Sequence, residues 1–271
     1  MPQMTHEKRV EIATKRAEDN PTRAEKDKAL TVRKSNHLIQ RNRFELSLRE
    51  QRLLLYCISR IKPSDHGKET YTIKVRDVCK ACGIDSNISG GAYKAVIEAF
   101  KKLDSFNFVL KDEQGVRHFV HWIRDVKIDP EEKHSAKASF SFDPKVVPYL
   151  FDVRKYFTQY AIGGVLQMKS SYGVHLYELL KSYANIREKE FELSELRYLL
   201  GAENKSYDKY SLFRVYVLEP AIKDIMTYSD LNVDYVEIKQ GKRKVINIRF
   251  IITPCSATER LERQGYIFEE E

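Results

Sequence analysis

The 271-residue sequence predicts an α+β protein built as two tandem domains related by internal duplication. Three observations predict it. An order of helix, short strand, two helices and hairpin is read twice along the chain, and both passes are punctuated by capping and turn residues at matching places. Tyr71 and Phe191 lie 120 residues apart, and Gly115 and Gly241 lie 126 apart, a spacing of ordinary domain size. Composition agrees: 42% hydrophobic and 11% aromatic residues supply packed cores and exclude wholesale disorder. Eleven Gly and eight Pro exclude collagen-like and low-complexity classes, and four Cys without a signal peptide argue for a reducing cytoplasm over a secreted disulfide scaffold. No apolar run approaches the roughly 18 residues needed to cross a bilayer, so no membrane partner is expected.

In the first pass, Ser47-Leu48-Arg49-Glu50 is a capping box opening an apolar helix through Leu53 to Ile58, which must stop before Pro63. Tyr71 to Val75 alternates as a strand, and Val78 to Cys82 is a short helix closed by Gly83. A second helix starts near Ser89, with Tyr93, Val96, Ile97, Phe100 and Leu103 at the spacing of one buried face. A hairpin follows: Phe106 to Leu110, a tip at Lys111 to Gly115, then Val116 to Ile128.

The second pass repeats this order. Met168 to Tyr183 is a helix, Glu190 to Leu193 a strand, and Ser194 caps a helix over Glu195 to Leu200 that Gly201 closes. Tyr207 to Met226 is a long helix with Phe213, Val217, Ala221, Ile222 and Ile225 on one face; Pro220 inside it removes a backbone hydrogen bond and predicts a bend. Leu231 to Ile238, a tip at Lys239 to Lys244, and Val245 to Ile252 complete a hairpin.

The net charge is +8, and its distribution says more than its sum. Residues 1–43 hold eleven Lys/Arg against six Asp/Glu, whereas Phe44 to Lys145 and Val146 to Cys255 are each +3 and the tail from Ser256 is −3. The expected organisation is a basic arm over residues 1–31, a first domain over 32–145, a second over 146–255, and an acidic tail over 256–271 that ends in Glu269-Glu270-Glu271.

Two helices and a hairpin in this order are the arrangement of a winged helix, in which the later helix can enter a major groove while the hairpin tip touches flanking backbone. Many modules share the order, so the exposed faces must carry the chemistry. On the first domain's helix the face opposite the core stripe presents Lys94, Glu98, Lys101 and Lys102. On the second, Tyr207, Tyr210 and Arg214 fall at i, i+3, i+7, flanked by Lys205, Ser206 and Lys209. Arg can read guanine bidentately, while Lys, Ser and Tyr can hold phosphates. The first tip has one Lys against Asp112 and Glu113, whereas the second has Lys239, Lys242, Arg243 and Lys244 with no acid, which predicts that the second domain is the stronger backbone clamp.

Val32 to Ile39 (VRKSNHLI), Leu46 to Leu54 (LSLREQRLL), Leu176 to Leu180 (LYELL) and Val217 to Ile225 (VLEPAIKDI) resemble, as an ordered set, the iteron-binding replication initiator (Rep) proteins of theta-replicating bacterial plasmids. The likeness spans about Val32 to Ile252. It implies two winged-helix domains and a bacterial cytoplasmic protein that binds directly repeated double-stranded origin DNA as a monomer. It further implies assisted melting of adjacent AT-rich DNA, recruitment of a host initiator and replicative helicase, and a dimer, joined mainly through the first domain, that represses the initiator's own gene. It carries DNA contact to Lys205, Tyr207, Lys209, Tyr210, Arg214 and Lys242 to Lys244, and further to Arg33, Lys34, Lys94 and Lys101. Family members usually have Arg where this chain has His175.

No enzyme is expected. A rolling-circle nicking initiator needs a Tyr nucleophile and a His-hydrophobic-His metal site. The close pair His118-Phe119-Val120-His121 instead puts its imidazoles on opposite faces of a strand. Ser89 to Lys94 lacks the spacing and following hydroxyl of a phosphate-binding loop, so any unwinding motor must be borrowed and no nucleotide cofactor is expected. Cys79-x-x-Cys82 has no second pair at zinc-ligand spacing and reads as helix-packing cysteines. A plain dimeric winged-helix repressor would use the same surfaces and stays open as an alternative.

Overall fold

The computed structural model describes residues 30–43, 45–82, 91–112, 114–129, 136–151, 153–241 and 243–263. Nearly all of the expected arm, the Gly83 stop, the Ser89 start, Glu113 and Lys242 at the two tips, and Glu269 to Glu271 lie outside the described residues.

The described chain enters on β1, Thr31–Ser35, and α1, Asn36–Arg41, whose first turn is capped by Ser35 Oγ accepting from Leu38 N at 3.2 Å. Helix α2, Leu48–Ile58, begins at the predicted box: Ser47 Oγ accepts from Glu50 N at 3.5 Å, and Ser47 N donates to Glu50 Oε2 at 2.8 Å. Leu53 to Ile58 are all buried, as an all-round apolar helix at the centre of a core must be. Strand β2, Tyr71–Lys74, leads into α3, Val75–Ala81, and α4, Gly91–Ser105, buries Val96, Ala99, Phe100 and Leu103. Cys79 and Cys82 are buried here, and burial pushes the Cys82 thiol up to about 12.

The first domain's hairpin differs from the expectation. Strands β3, Phe108–Lys111, and β4, Arg117–Val120, pair only with each other, and the run expected to continue to Ile128 breaks at His121-Trp122. Trp122 causes the break. Its ring is fully buried and stacks on Phe108 at 4.6 Å, while its carbonyl accepts from Asp143 N at 3.2 Å. The chain therefore leaves the hairpin for a separate sheet as β5, Ile123–Asp129. There it pairs with β6, Lys137–Phe142, a strand absent from the sequence reading. That sheet has the order β2-β6-β5.

After α5, Val147–Leu150, strand β7, Phe157–Ala161, returns to pair antiparallel with β1. Helices α6, Ile162–Val165, and α7, Ser171–Lys181, precede β8, Glu188–Glu192, and α8, Leu193–Leu200. Ser194 does not cap α8, because the helix begins two residues earlier than expected, at Leu193; Gly201 closes it at φ +69°, as a left-handed cap requires. Helices α9, Tyr210–Phe213, and α10, Glu219–Tyr228, are joined by a π-turn, Arg214–Leu218. Strands β9, Leu231–Gln240, and β10, Lys244–Pro254, complete a sheet of order β8-β10-β9, and α11, Ala257–Arg263, follows.

The two three-stranded sheets thus share one order, each with the later hairpin strand in the middle, and this fixes the correspondence between the domains. The counterpart of the Gly241 turn is the connection between β5 and β6, not Gly115; β3–β4 is an addition to the first domain. The contrast between an acid-opposed tip at Asp112 and an unopposed one at Gly241 consequently compares two unlike hairpins.

Polar contacts tie β1, α2 and β7 to α7 and the turn before it. Lys34 Nζ lies 2.7 Å from Glu178 Oε1, and the Tyr160 hydroxyl donates to the same carboxylate. Arg52 donates to the carbonyls of Cys82 at 3.0 Å and Met168 at 2.6 Å. His175 Nε2 lies 2.8 Å from Gln51 Nε2, within this internal network.

Candidate nucleic-acid interface

The outward-facing part of the second domain starts at a single 3-10 turn, Lys205–Tyr207, not at the first turn of a long helix. Asn204 Oδ1 accepts from Ser206 N at 2.9 Å, and Arg197 of α8 donates to the Asp208 carbonyl at 3.1 Å, fastening the turn to the preceding helix. Lys205, Ser206 and Lys209 are left exposed. Tyr207 packs edge-on against Tyr172, ring centroids 6.3 Å apart. Burial and a hydrogen bond with Tyr207 push the Tyr172 hydroxyl up to about 12. Tyr207 is therefore off the helix, and the expected i, i+3, i+7 stripe with Tyr210 and Arg214 does not form.

Within the helix, Phe213 is fully buried beneath the Arg197 guanidinium at 5.3 Å, and Val217 and Leu218 are buried beyond it. Pro220 has no N–H to donate to Tyr216; Glu219 N instead bonds to the Arg214 carbonyl five residues back, widening the helix by a π-turn. A π-turn thus lies just amino-terminal to the proline at which the sequence predicts a bend. It presents Leu212, Val215 and Tyr216 to solvent at 37%, 45% and 62% exposure, residues the sequence reading did not select.

Tyr210 and Arg214 turn toward the wing. The Tyr210 hydroxyl donates to Glu237 Oε1 on β9 at 2.7 Å, and burial followed by this bond pushes its pKa up. Arg214 Nε lies 3.3 Å from Glu219 Oε1, and its Nη1 lies 3.6 Å from Glu237 Oε1. Lys239 Nζ is 3.1 Å from Glu237 Oε2. Burial alone would raise the Glu237 carboxyl, but the bonds from Tyr210 and Lys239 outweigh it and hold the group below its usual range. Glu237 is therefore a hub tying the helix to the base of the wing. At the wing's end, Gly241 takes φ +67°, and Arg243 and Lys244 are exposed. Neither they nor Lys205 and Lys209 pair with a carboxylate among the described residues.

In the first domain Lys94 and Lys101 are exposed on α4 as expected, but Lys101 pairs with Glu98 at 2.9 Å and the neighbouring Lys102 lies 3.6 Å from Glu50. Arg33 is exposed, shares Gln159 Oε1 between Nε at 3.0 Å and Nη2 at 2.8 Å, and covers the Phe157 ring at 4.4 Å. Lys34 corrects the sequence reading. It is only 3% exposed and locked to Glu178, so it is not available to a phosphate. Strand parity explains this: in β1, Val32 and Lys34 point to the buried side and Arg33 to solvent.

A repeated three-stranded sheet, each preceded by paired helices, and a helix tied to the wing beside it define a tandem winged-helix protein. Residues 31–181 match the Initiator Replication protein WH1 family and residues 192–252 match the Initiator Rep protein WH2 family. The chain belongs to this family of replication initiators. It is 28% identical over 224 residues to a replication initiation protein of Escherichia coli, a match covering 79% of this chain and 66% of that protein's length. Its fold is similar to the crystal structure of the Pi initiator protein in complex with iteron DNA: TM-score 0.68, 19% identity, 83% of this chain and 98% of the other.

Proposed function

We propose that the chain binds directly repeated double-stranded origin DNA, reading it chiefly through the second domain. The observation that carries this reading is the set of exposed cations without carboxylate partners, Lys205 and Lys209 at the head of the helix and Arg243 and Lys244 on the wing, in a member of a replication-initiator family. Such cations hold phosphates, while the helix between them is of a width that a major groove admits. The fold shared with an initiator solved on iteron DNA supports the same reading. The proposal extends to assisted melting next to the repeats, recruitment of a host initiator and helicase to supply the motor, and autorepression by a dimer in the bacterial cytoplasm, with no enzymatic activity of its own. Supplying the chain with its native upstream DNA on a replicon lacking an initiator should sustain replication. Failure to replicate with expression confirmed would count against initiation, and absence of a footprint on that DNA would count against repeat binding.

A further inference from the structure

The outward stripe of the helix poses a question that phosphate binding does not answer. Lys209, Ser211, Leu212, Val215, Tyr216 and Glu219 are exposed along its amino-terminal half, and none is an Arg, Asn or Gln, the side chains that pair bidentately with guanine or adenine. Its central members are apolar at i, i+3, i+4, although Phe213, Val217 and Leu218 already supply the buried face, so packing does not require them. Arg214, the one Arg beside this stripe, keeps its side chain 43% exposed but is engaged by Glu219 and Glu237, and it offsets the negative charge that Glu219 would otherwise turn toward a phosphate backbone. The apolar stripe is headed by Lys205 and Lys209, which pair with no carboxylate among the described residues, although Asp208 between them is exposed too, and so can hold the phosphates that flank a groove.

The major groove offers one apolar group on its floor, the C5 methyl of thymine. We infer that Leu212, Val215 and Tyr216 read thymine methyls, making the second domain selective for thymine-bearing steps by apolar contact instead of bidentate hydrogen bonding. This inference rests on the duplex-binding reading above and names what that surface recognises.

The test replaces thymine by deoxyuridine, which removes the methyl and leaves every hydrogen-bonding group of the base pair in place. With the full chain and the duplex defined by footprinting next to its gene, single replacements should weaken binding about fourfold per buried methyl at two or more positions. Val215→Ala, an exposed site where the fold does not depend on the side chain, should weaken binding to the thymine duplex and abolish the deoxyuridine effect at one position, a coupling read by a double-mutant cycle. Retained binding with no deoxyuridine effect at any position would overturn the inference while leaving repeat binding intact. So would Leu212→Ala and Val215→Ala variants that lose self-association in sedimentation and keep full DNA affinity. Absence of sequence-specific duplex binding altogether would overturn both readings.

Discussion

Helix α4 of the first domain and the α9–α10 helix of the second hold the same place in the repeated plan, yet they turn different chemistry outward. On α4 the outward lysines are partly neutralised within the protein, Lys101 by Glu98 and Lys102 by Glu50. Around the second helix the acids, Glu219 on the helix and Glu237 on β9, are engaged by Arg214, while Lys205 and Lys209 at its head stay without acidic partners among the described residues. Duplication therefore preserved the scaffold and let its surfaces diverge, one toward internal charge balance and the other toward an external polyanion.

Both domains share one frame, and the largest expected effect comes from breaking the contacts packed against it. Lys34→Ala leaves the buried Glu178 carboxylate without its cation and should cost about 3 to 5 kcal/mol in urea unfolding, whereas Arg33→Ala, one residue away on the solvent side, should stay within about 0.5 kcal/mol. Equal effects would show that the Lys34–Glu178 link does not hold β1 to α7. Next in size, neutralising Arg243 and Lys244 together should weaken DNA binding on all sequences and flatten the log K against log salt slope by about 2. Replacing the exposed lysines of α4, Lys94→Ala with Lys101→Ala, should move that slope by about 1 or less, because Lys101 is already paired. Equal slopes would erase the asymmetry between the domains. Arg214→Ala should weaken binding by roughly 1 kcal/mol without changing base preference, since it uncovers Glu219 and Glu237. A loss confined to one base position would return Arg214 to the direct-reading role its sequence position suggests.

The smallest effect concerns α11, the helix that follows the second domain's sheet. Backbone and side-chain hydrogen bonds from Ser256, then one from Asn232, hold the Glu259 carboxyl down at about 2 against an ordinary 4.5. A depressed carboxylate stabilises the fold above its unfolded value and loses that contribution as pH falls through its folded value. Amide protection in α11 should therefore be full above about pH 4.5 and decline toward pH 2. Protection unchanged over that window would remove Glu259 from the docking of this helix.

Much of this architecture was legible in the sequence because it rests on local rules. The capping box at Ser47 and Glu50, the single buried face of α4, the closing Gly201 and the Pro220 irregularity follow from side-chain reach and helical period alone. What local rules missed was decided by tertiary burial. Trp122 sits in an alternating run that continues on either side, and the strand breaks there where its ring is buried on Phe108 and its carbonyl accepts from Asp143 N. Lys34 belongs to a charged cluster by sequence, yet the parity set by Val32 sends it inward; recognising β1 as a strand would have revealed this. At the candidate interface the basic residues were found by composition, while Leu212, Val215 and Tyr216 were missed because a regular helix from Tyr207 places a different stripe outward.

The π-turn before Pro220 has a consequence for how such a surface can diverge between relatives. It acts as a phase adjuster: at about 100° of rotation per helical residue, one residue gained or lost there turns everything amino-terminal to it without touching the packing that follows. Two chains can thus match residue for residue in their cores from Ala221 onward and still face their ligand with different sides of the same helix. A change of recognition that would otherwise need several coordinated substitutions is within reach of a single codon inserted or deleted.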